Sequence, residues 1–227
     1  QTKIDRDKLP PPDTGAEGAS EKAAAGAAAA KAKAEAEANT LVGFKLSSGN
    51  VTYGNDEPTI TPATSTANSP GEITYESSDT SVATISGSKI TIVGVGTTTI
   101  TATQKAAGLF PTASVTQSLT VGKKALTVSG AAVTPKVYDG TVTVEITGAQ
   151  LVGVIAGDDV DVSDAASSAA FADRNVGENK PVTTNGVLTG AQASRYTLTQ
   201  PTGLQGSITP KVLTISGVSA TNRVYDG

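Results

Sequence analysis

The chain of 227 residues has no cysteine, no histidine, no methionine and no tryptophan, and aromatics make up only 4% of it. Each absence closes a class of chemistry. Without cysteine there are no disulfides, and a cysteine-free chain suits either redox compartment, so its compartment cannot be read from thiols. Without His or Cys, the Ser-His-Asp and Cys-His nucleophile arrangements and the familiar zinc constellations are ruled out. With three Phe and five Tyr as the only aromatics, any core is small and aliphatic. Seventeen Lys and Arg are interspersed with 21 Asp and Glu, for a net charge of −4. That balance lacks the basic patch nucleic-acid binding requires. No apolar run approaches the roughly 18 residues of a membrane span. The first residue is Gln1, so a signal peptide is unobservable rather than absent.

What the chain does contain is repetition. Residues 124–140 read KALTVSGAAVTPKVYDG, and residues 211–227 read KVLTISGVSATNRVYDG. Lys124 recurs as Lys211, an offset of 87, and ten of the seventeen positions are identical. A period of this size marks a tandem array of folded modules. The length fits about two domains of roughly 100–150 residues each. The expected organisation is an arm and helix over 1–40, one module over 41–122 and a second over 123–210. Residues 211–227 are expected to open a further module, making the chain a piece of a longer rod.

Residues 1–15 are polar and carry Pro10, Pro11 and Pro12, which favour an extended, polyproline-like path. Residues 16–38 are almost entirely Ala, Lys and Glu, all good helix formers. Lys31 and Glu35, and Lys33 and Glu37, fall at i,i+4. The segment has no Leu, Ile, Val or Phe, so its helix has no large apolar face. It reads as a solvated spacer, or as a helix that packs on copies of itself or on an anchoring assembly. From residue 41 the period becomes two. Ile73 alternates with Tyr75, Val82 with Thr84, Ile90 with Ile92 and Ile100 with Ala102, with Gly87, Gly94 and Gly96 as punctuation. Short Val/Ile/Thr-rich runs separated by Gly, Ser, Asn and Asp predict an antiparallel all-β sandwich.

Three motifs carry a family resemblance in the first module. They are Tyr75-Glu-Ser-Ser-Asp, Val82-Ala-Thr-Ile-Ser-Gly and Val93-Gly-Val-Gly-Thr-Thr-Thr-Ile-Thr-Ala. Residues 43–122 resemble the bacterial Ig-like (BIG-type) module, with Tyr75 where many members carry Trp. Residues 123–210 resemble the YDG (MBG-type) Ig-like repeat module of bacterial surface adhesins and fibres. The resemblance rests on Lys124-Ala-Leu-Thr-Val, Val137-Tyr-Asp-Gly-Thr, Gly157-Asp-Asp-Val, Asn175-Val-Gly, Leu188-Thr-Gly, Tyr196-Thr-Leu and Gly206-Ser-Ile-Thr-Pro-Lys. These resemblances imply tandem Ig-like sandwiches in an elongated rod. The segment over 16–38 also resembles, in composition, helical segments near the bases of phage fibres.

Two groups of residues are candidates for more than packing. Asp158, Asp159, Asp161 and Asp164 lie close together. Asp158 is expected in a turn, with Asp159 and Asp161 on one face of a strand. The group reads as a turn running into a solvated edge strand, or as a Ca²⁺ site of carboxylate oxygens. The Tyr138-Asp139-Gly140 tripeptide reads as a turn, because Asp bonds locally and Gly accepts positive φ. Tyr138 is expected to bury its ring and tie its hydroxyl to backbone, with a ligand-binding Tyr as the alternative. Residues 94–99, GVGTTT, lack the P-loop Lys and run into a strand, so they form a turn or bulge.

The expected function is that of a non-enzymatic stalk in an extracellular bacterial surface protein, at the cell surface, with no catalytic residues and no cofactor unless Ca²⁺. Each module would add on the order of 40 Å. The expected partners are a host or cell-surface glycan or protein receptor, with a homo-oligomer or anchoring assembly formed through residues 1–40. No nucleic acid is expected. The alternative is a phage virion appendage, a tail or head fibre held by its N-terminal segment.

Overall fold

The computed structural model describes residues 15–163 and 169–227. The described chain is mostly strands with one α-helix, as the period-two patterning predicts, and it divides into two compact units, Gln1–Gly122 and Lys123–Gly227. The Pro10–Pro12 arm and Asp164 lie outside the described residues.

The Ala-rich helix spans Gly15–Glu37, roughly 34 Å at 1.5 Å per residue. Its described side chains are exposed all round, apart from a half-buried Ala32. Lys31 and Glu35 stand 3.9 Å apart on its surface, a pair worth only a few tenths of a kcal/mol. The last helical bond runs from Ala38 N–H to Ala34 O. The next residue, Asn39, is buried.

The main sheet of the first unit orders its strands Asn50–Thr52, Ala113–Gly122, Gly96–Gln104 and Ile73–Ser77. The first pairing is parallel and the other two antiparallel. Alternation decides which side chains face inward. Along Gly96–Gln104, the even-numbered Thr98, Ile100, Ala102 and Gln104 are all buried. Opposite them, Leu119 pairs with Thr98 and Tyr75 with Ala102. Tyr75 packs on buried Phe44 with ring centroids 5.7 Å apart, and its hydroxyl accepts from Ala63 N–H at 3.1 Å. A hairpin joins Ala83–Ser86 to Lys89–Ile92. Its two-residue loop starts at Gly87, whose φ of +61° suits the mirror-image turns such hairpins require.

A polar knot closes this core. Asn39 Nδ2 donates to Gln104 Oε1 at 2.9 Å, and Ser65 Oγ donates to Asn39 Oδ1 at 2.6 Å. Gln104 Nε2 donates to the Ser69 and Gly71 carbonyls, both at 3.1 Å. The residue that ends the helix is thereby bonded to the inner face of the sheet.

In the second unit, Lys124–Ser129 is the central strand of a three-stranded sheet. It runs antiparallel to Gln150–Val152 and parallel to Tyr196–Thr199. A four-stranded sheet orders Lys136–Val137, Gln205–Thr209, Gly177–Thr184 and Ala169–Phe171. Val144, Ala169, Phe171, Val182 and Ile208 form the core cluster, with Val133, Ile146 and Leu204 packed against it. Leu126 is fully buried on the central strand, which stabilises the unit by roughly 1.5–3 kcal/mol. Residues 211–227 form no strand and are exposed throughout.

Replacing Gln104 with Ala strands the buried Asn39 amide and takes the donor from two carbonyls of half-buried residues. A loss on the order of 3 kcal/mol is expected, measured by denaturant titration of the first unit. A loss below about 0.5 kcal/mol, the scale of a neutral surface change, would show the knot to be dispensable.

Candidate functional site

The Tyr138-Asp139-Gly140 tripeptide follows the short strand Lys136–Val137, which pairs in parallel with Ile208–Thr209. Tyr138 N–H donates to Thr209 O at 2.9 Å, and Thr209 Oγ1 donates to Lys136 O at 3.3 Å. The turn itself is organised by a carboxylate. Asp139 Oδ1 accepts from Thr141 N–H at 2.9 Å and from Thr141 Oγ1 at 2.8 Å. Gly140 then takes φ +82°, which a side chain would resist. Lys136 reaches across from the strand, its side chain only 15% exposed, and puts Nζ 2.8 Å from Asp139 Oδ1. The same ammonium donates to the carbonyls of Thr141 at 3.2 Å and Thr143 at 2.8 Å. The Lys136 ammonium and the Thr141 donors hold the Asp139 carboxyl well below the usual carboxylate range.

The sequence expectation for Tyr138 is corrected here. Its ring is 37% exposed, and the turn is tied by Asp139 and Lys136. The buried tyrosine of this unit is Tyr196, 3% exposed. Its hydroxyl accepts from Ile155 N–H at 3.2 Å and donates to Asp158 Oδ2 at 2.5 Å. Arg195 Nη1 lies 3.4 Å from the other oxygen of Asp158. One inward-facing residue at the start of Tyr196–Thr199 thus ties the loop around residues 155–158 to the three-stranded sheet.

The acidic residues do different jobs. Asp158, expected within a turn, stands just after the Ala156–Gly157 turn, its N–H donating to Ile155 O at 3.1 Å, and its carboxylate is engaged by Tyr196 and Arg195. Asp159 does not share a strand face with Asp161, because the strand is only Asp161–Val162. Asp159 belongs to a loop-to-loop clasp. Its N–H donates to Gln192 Oε1 at 2.8 Å, its carbonyl accepts from Gln192 N–H at 3.2 Å, and its Oδ2 accepts from Ala191 N–H at 3.2 Å. Asp161 Oδ1 accepts from Val162 N–H at 2.7 Å. Asp164 lies outside the described residues. Among the described residues, no group of three or more acidic side chains is placed to hold a metal ion.

Asp173 repeats the Asp139 device. Asp173 Oδ1 accepts from Asn175 N–H at 2.8 Å and from Lys180 Nζ at 2.6 Å. Lys180 holds the Asp173 carboxyl below its ordinary range. The available signal was Asp-x-Asn before Val176-Gly177, the same spacing as Asp139-x-Thr141.

Tyr196→Phe removes the Asp158 and Ile155 bonds from a buried site and is expected to cost roughly 1–3 kcal/mol, whereas exposed Tyr138→Phe stays within about 0.5 kcal/mol; thermal melting ranks the two, and the reverse order would refute the assignment. Asp139 and Asp173 have folded pKa values depressed below the unfolded one. Their contribution is therefore complete above the unfolded value of roughly 3.9 and is lost as pH falls toward the folded values. Melting temperature should drop on acidification below about pH 4. The double variant Asp139→Asn with Asp173→Asn should flatten that part of the profile.

No curated protein matches the chain. Residues 122–203, which contain the Lys136 clasp, the Asp158 loop and the Tyr196 tie, match the YDG domain.

Proposed function

We propose that the chain is a non-enzymatic structural and adhesive stalk of tandem Ig-like modules in an extracellular bacterial surface protein. The observation that carries this reading is the 87-residue echo of 124–140 at 211–227, together with the YDG domain match over the unit that holds the first copy. The titratable groups support it. Asp139, Asp173 and Asp158 are engaged with Lys136, Lys180 and Tyr196 in ties that hold turns. In this reading residues 41–122 are a BIG-type module, and the modules act as spacers. Repeated weak contacts along such an array gain from effective concentration.

The exposed Ala-rich helix supports a second reading, a virion appendage anchored through residues 1–40. Immunogold labelling with an antibody against the chain separates the two, since it marks either the bacterial surface or phage particles.

Small-angle scattering tests the stalk. A rod has a radius of gyration well above the roughly 17 Å of a compact chain of this length, and a value near 17 Å would end the reading. Beads coated with the chain test adhesion. They should bind bacterial or host cells, and protease or glycosidase treatment of those cells should abolish binding. Beads that bind neither would leave a spacer without adhesive function.

A further inference from the structure

Tension applied to the two ends of a folded unit is borne by the bonds that hold its first strands to its last. In both units those strands are parallel. In the first, residues 50–52 run alongside residues 120–122. Thr120 N–H donates to Gly49 O at 2.8 Å and Tyr53 N–H to Gly122 O at 2.9 Å, which lengthens the contact at both ends. In the second, residues 124–127 run alongside 196–199, and residues 136–137 alongside 208–209.

Parallel pairing decides how such a contact yields. The chain enters residues 136–137 from their N-terminal side and leaves residues 208–209 on their C-terminal side. Pulling on the two ends therefore slides the strands past one another, and every bond between them carries load together. An antiparallel pair pulled from one end opens bond by bond instead. Two residues make a short ladder, and the second unit adds a fastener to it. Lys136 Nζ donates to Thr143 O at 2.8 Å, while Asp139 Oδ1 and Thr141 Oγ1, each 2.8 Å away, hold the ammonium in place. Thr143 is itself anchored. Phe171 N–H donates to Val142 O at 2.9 Å, Val144 N–H donates to Ala169 O at 3.2 Å, and Thr143 bridges to Ala170. Residues 169–171 and 136–137 are the opposite edges of one four-stranded sheet. The ammonium thus joins the strand at one edge to the segment laid along the other.

We propose that the Tyr-Asp-Gly turn is a mechanical latch, in which Lys136, held by Asp139, fastens the parallel pair 136–137/208–209 against tension applied along the chain. Load entering at Lys123 first meets residues 124–127 on 196–199. Once that pair yields, the load passes to residues 136–137. These cannot slide along 208–209 without drawing the Lys136 ammonium off the anchored Thr143 carbonyl. The turn then has a task beyond reversing the chain, since it carries load from one edge of the sheet to the other. The latch deepens the stalk reading and rests on it for its setting, because a stalk between two attachments is pulled from both ends.

The absence of native cysteine allows force to be applied at chosen points. In the full chain, thiol handles from Lys123→Cys with Pro210→Cys load the second unit in shear. Handles from Val176→Cys with Pro210→Cys pull from one end of an antiparallel pair, since Gly177 stands opposite Ile208, and so peel it. Unfolding at constant force reads the unfolding rate directly. The release of residues 123–210, roughly 300 Å of extended chain, identifies the event in the shear geometry. Shear should be survived longer than peeling at the same force. Lys136→Met keeps the stem and removes the ammonium, and should speed unfolding in shear by about tenfold, the scale of one charge-assisted bond. In peeling, the same variant should change the rate by less than about threefold. Asp139→Asn, at an exposed side chain, should act in the same direction and to a smaller extent. Equal lifetimes in the two geometries, or a Lys136→Met effect of the same size in both, would overturn the proposal. Scattering and bead binding judge the stalk by separate readouts, so either idea can fail alone.

Discussion

The interaction on which this architecture depends is an aspartate carboxylate accepting the backbone N–H two residues ahead. It recurs at Asp79 with Ser81, Asp139 with Thr141 and Asp173 with Asn175. In each case a second donor reinforces it, the Ser81 hydroxyl at Asp79 and a lysine ammonium at the other two. The carboxyl is held below its ordinary range at all three. A chain with so few aromatics cannot fix its loops by packing them onto large rings. Charge-assisted bonds to backbone do that instead, and they are about twice as strong as neutral ones.

The lysines make these turns more than local. Lys136 starts on a strand of the four-stranded sheet and ends on the carbonyls of Thr141 and Thr143. Lys180, on Gly177–Thr184 of the same sheet, ends on Asp173. Both stems are largely buried while their carboxylate partners stay half exposed. Each ammonium therefore carries sheet order into a loop. The first unit does the same with neutral groups, where buried Asn39 and Gln104 bond the end of the helix to the sheet interior. Among the described residues no buried side-chain nitrogen or oxygen lacks a partner. A small core can accommodate polar groups only if they are satisfied, since each stranded one costs as much as burying a sizeable apolar side chain gains.

Much of this was legible in the residues, and the failures share one cause. Alternation identified Ile73, Tyr75, Ile100 and Ala102 as strand residues, and composition identified the helix. Extending the same parity by one step would have placed Gln104 inward, because period two does not distinguish a glutamine from an isoleucine. The tyrosines were harder. Tyr138 stands in the repeated motif and Tyr196 does not, yet Tyr196 carries the buried hydroxyl. Its partners Ile155 and Asp158 lie some 40 residues away, and no local pattern reports them. The strand expected to hold Asp159 and Asp161 together fails similarly. Gln192, remote in sequence, takes Asp159 into a loop clasp before the ladder begins.

The repeat separates local from non-local order within one chain. At its second copy, Arg223 stands where Lys136 does, and its guanidinium lies 3.3 Å from Asp226, the counterpart of Asp139. Gly227 takes φ +86°, beside +82° at Gly140. The ion pair and the glycine conformation thus recur with both ionic groups exposed and no sheet around them, although residues 221–227 form no turn. No strand precedes them, although Leu213, Thr214 and Ser216 are identical to their counterparts. A turn closes on a neighbour two residues away, so its loop entropy is small and a surface ion pair suffices to bias it. A strand has no hydrogen-bonding partner within itself and acquires its state only from flanking chains. What decides the fate of the strand is the pair of ladders on either side of residues 124–129, supplied by residues 150–152 and 196–199.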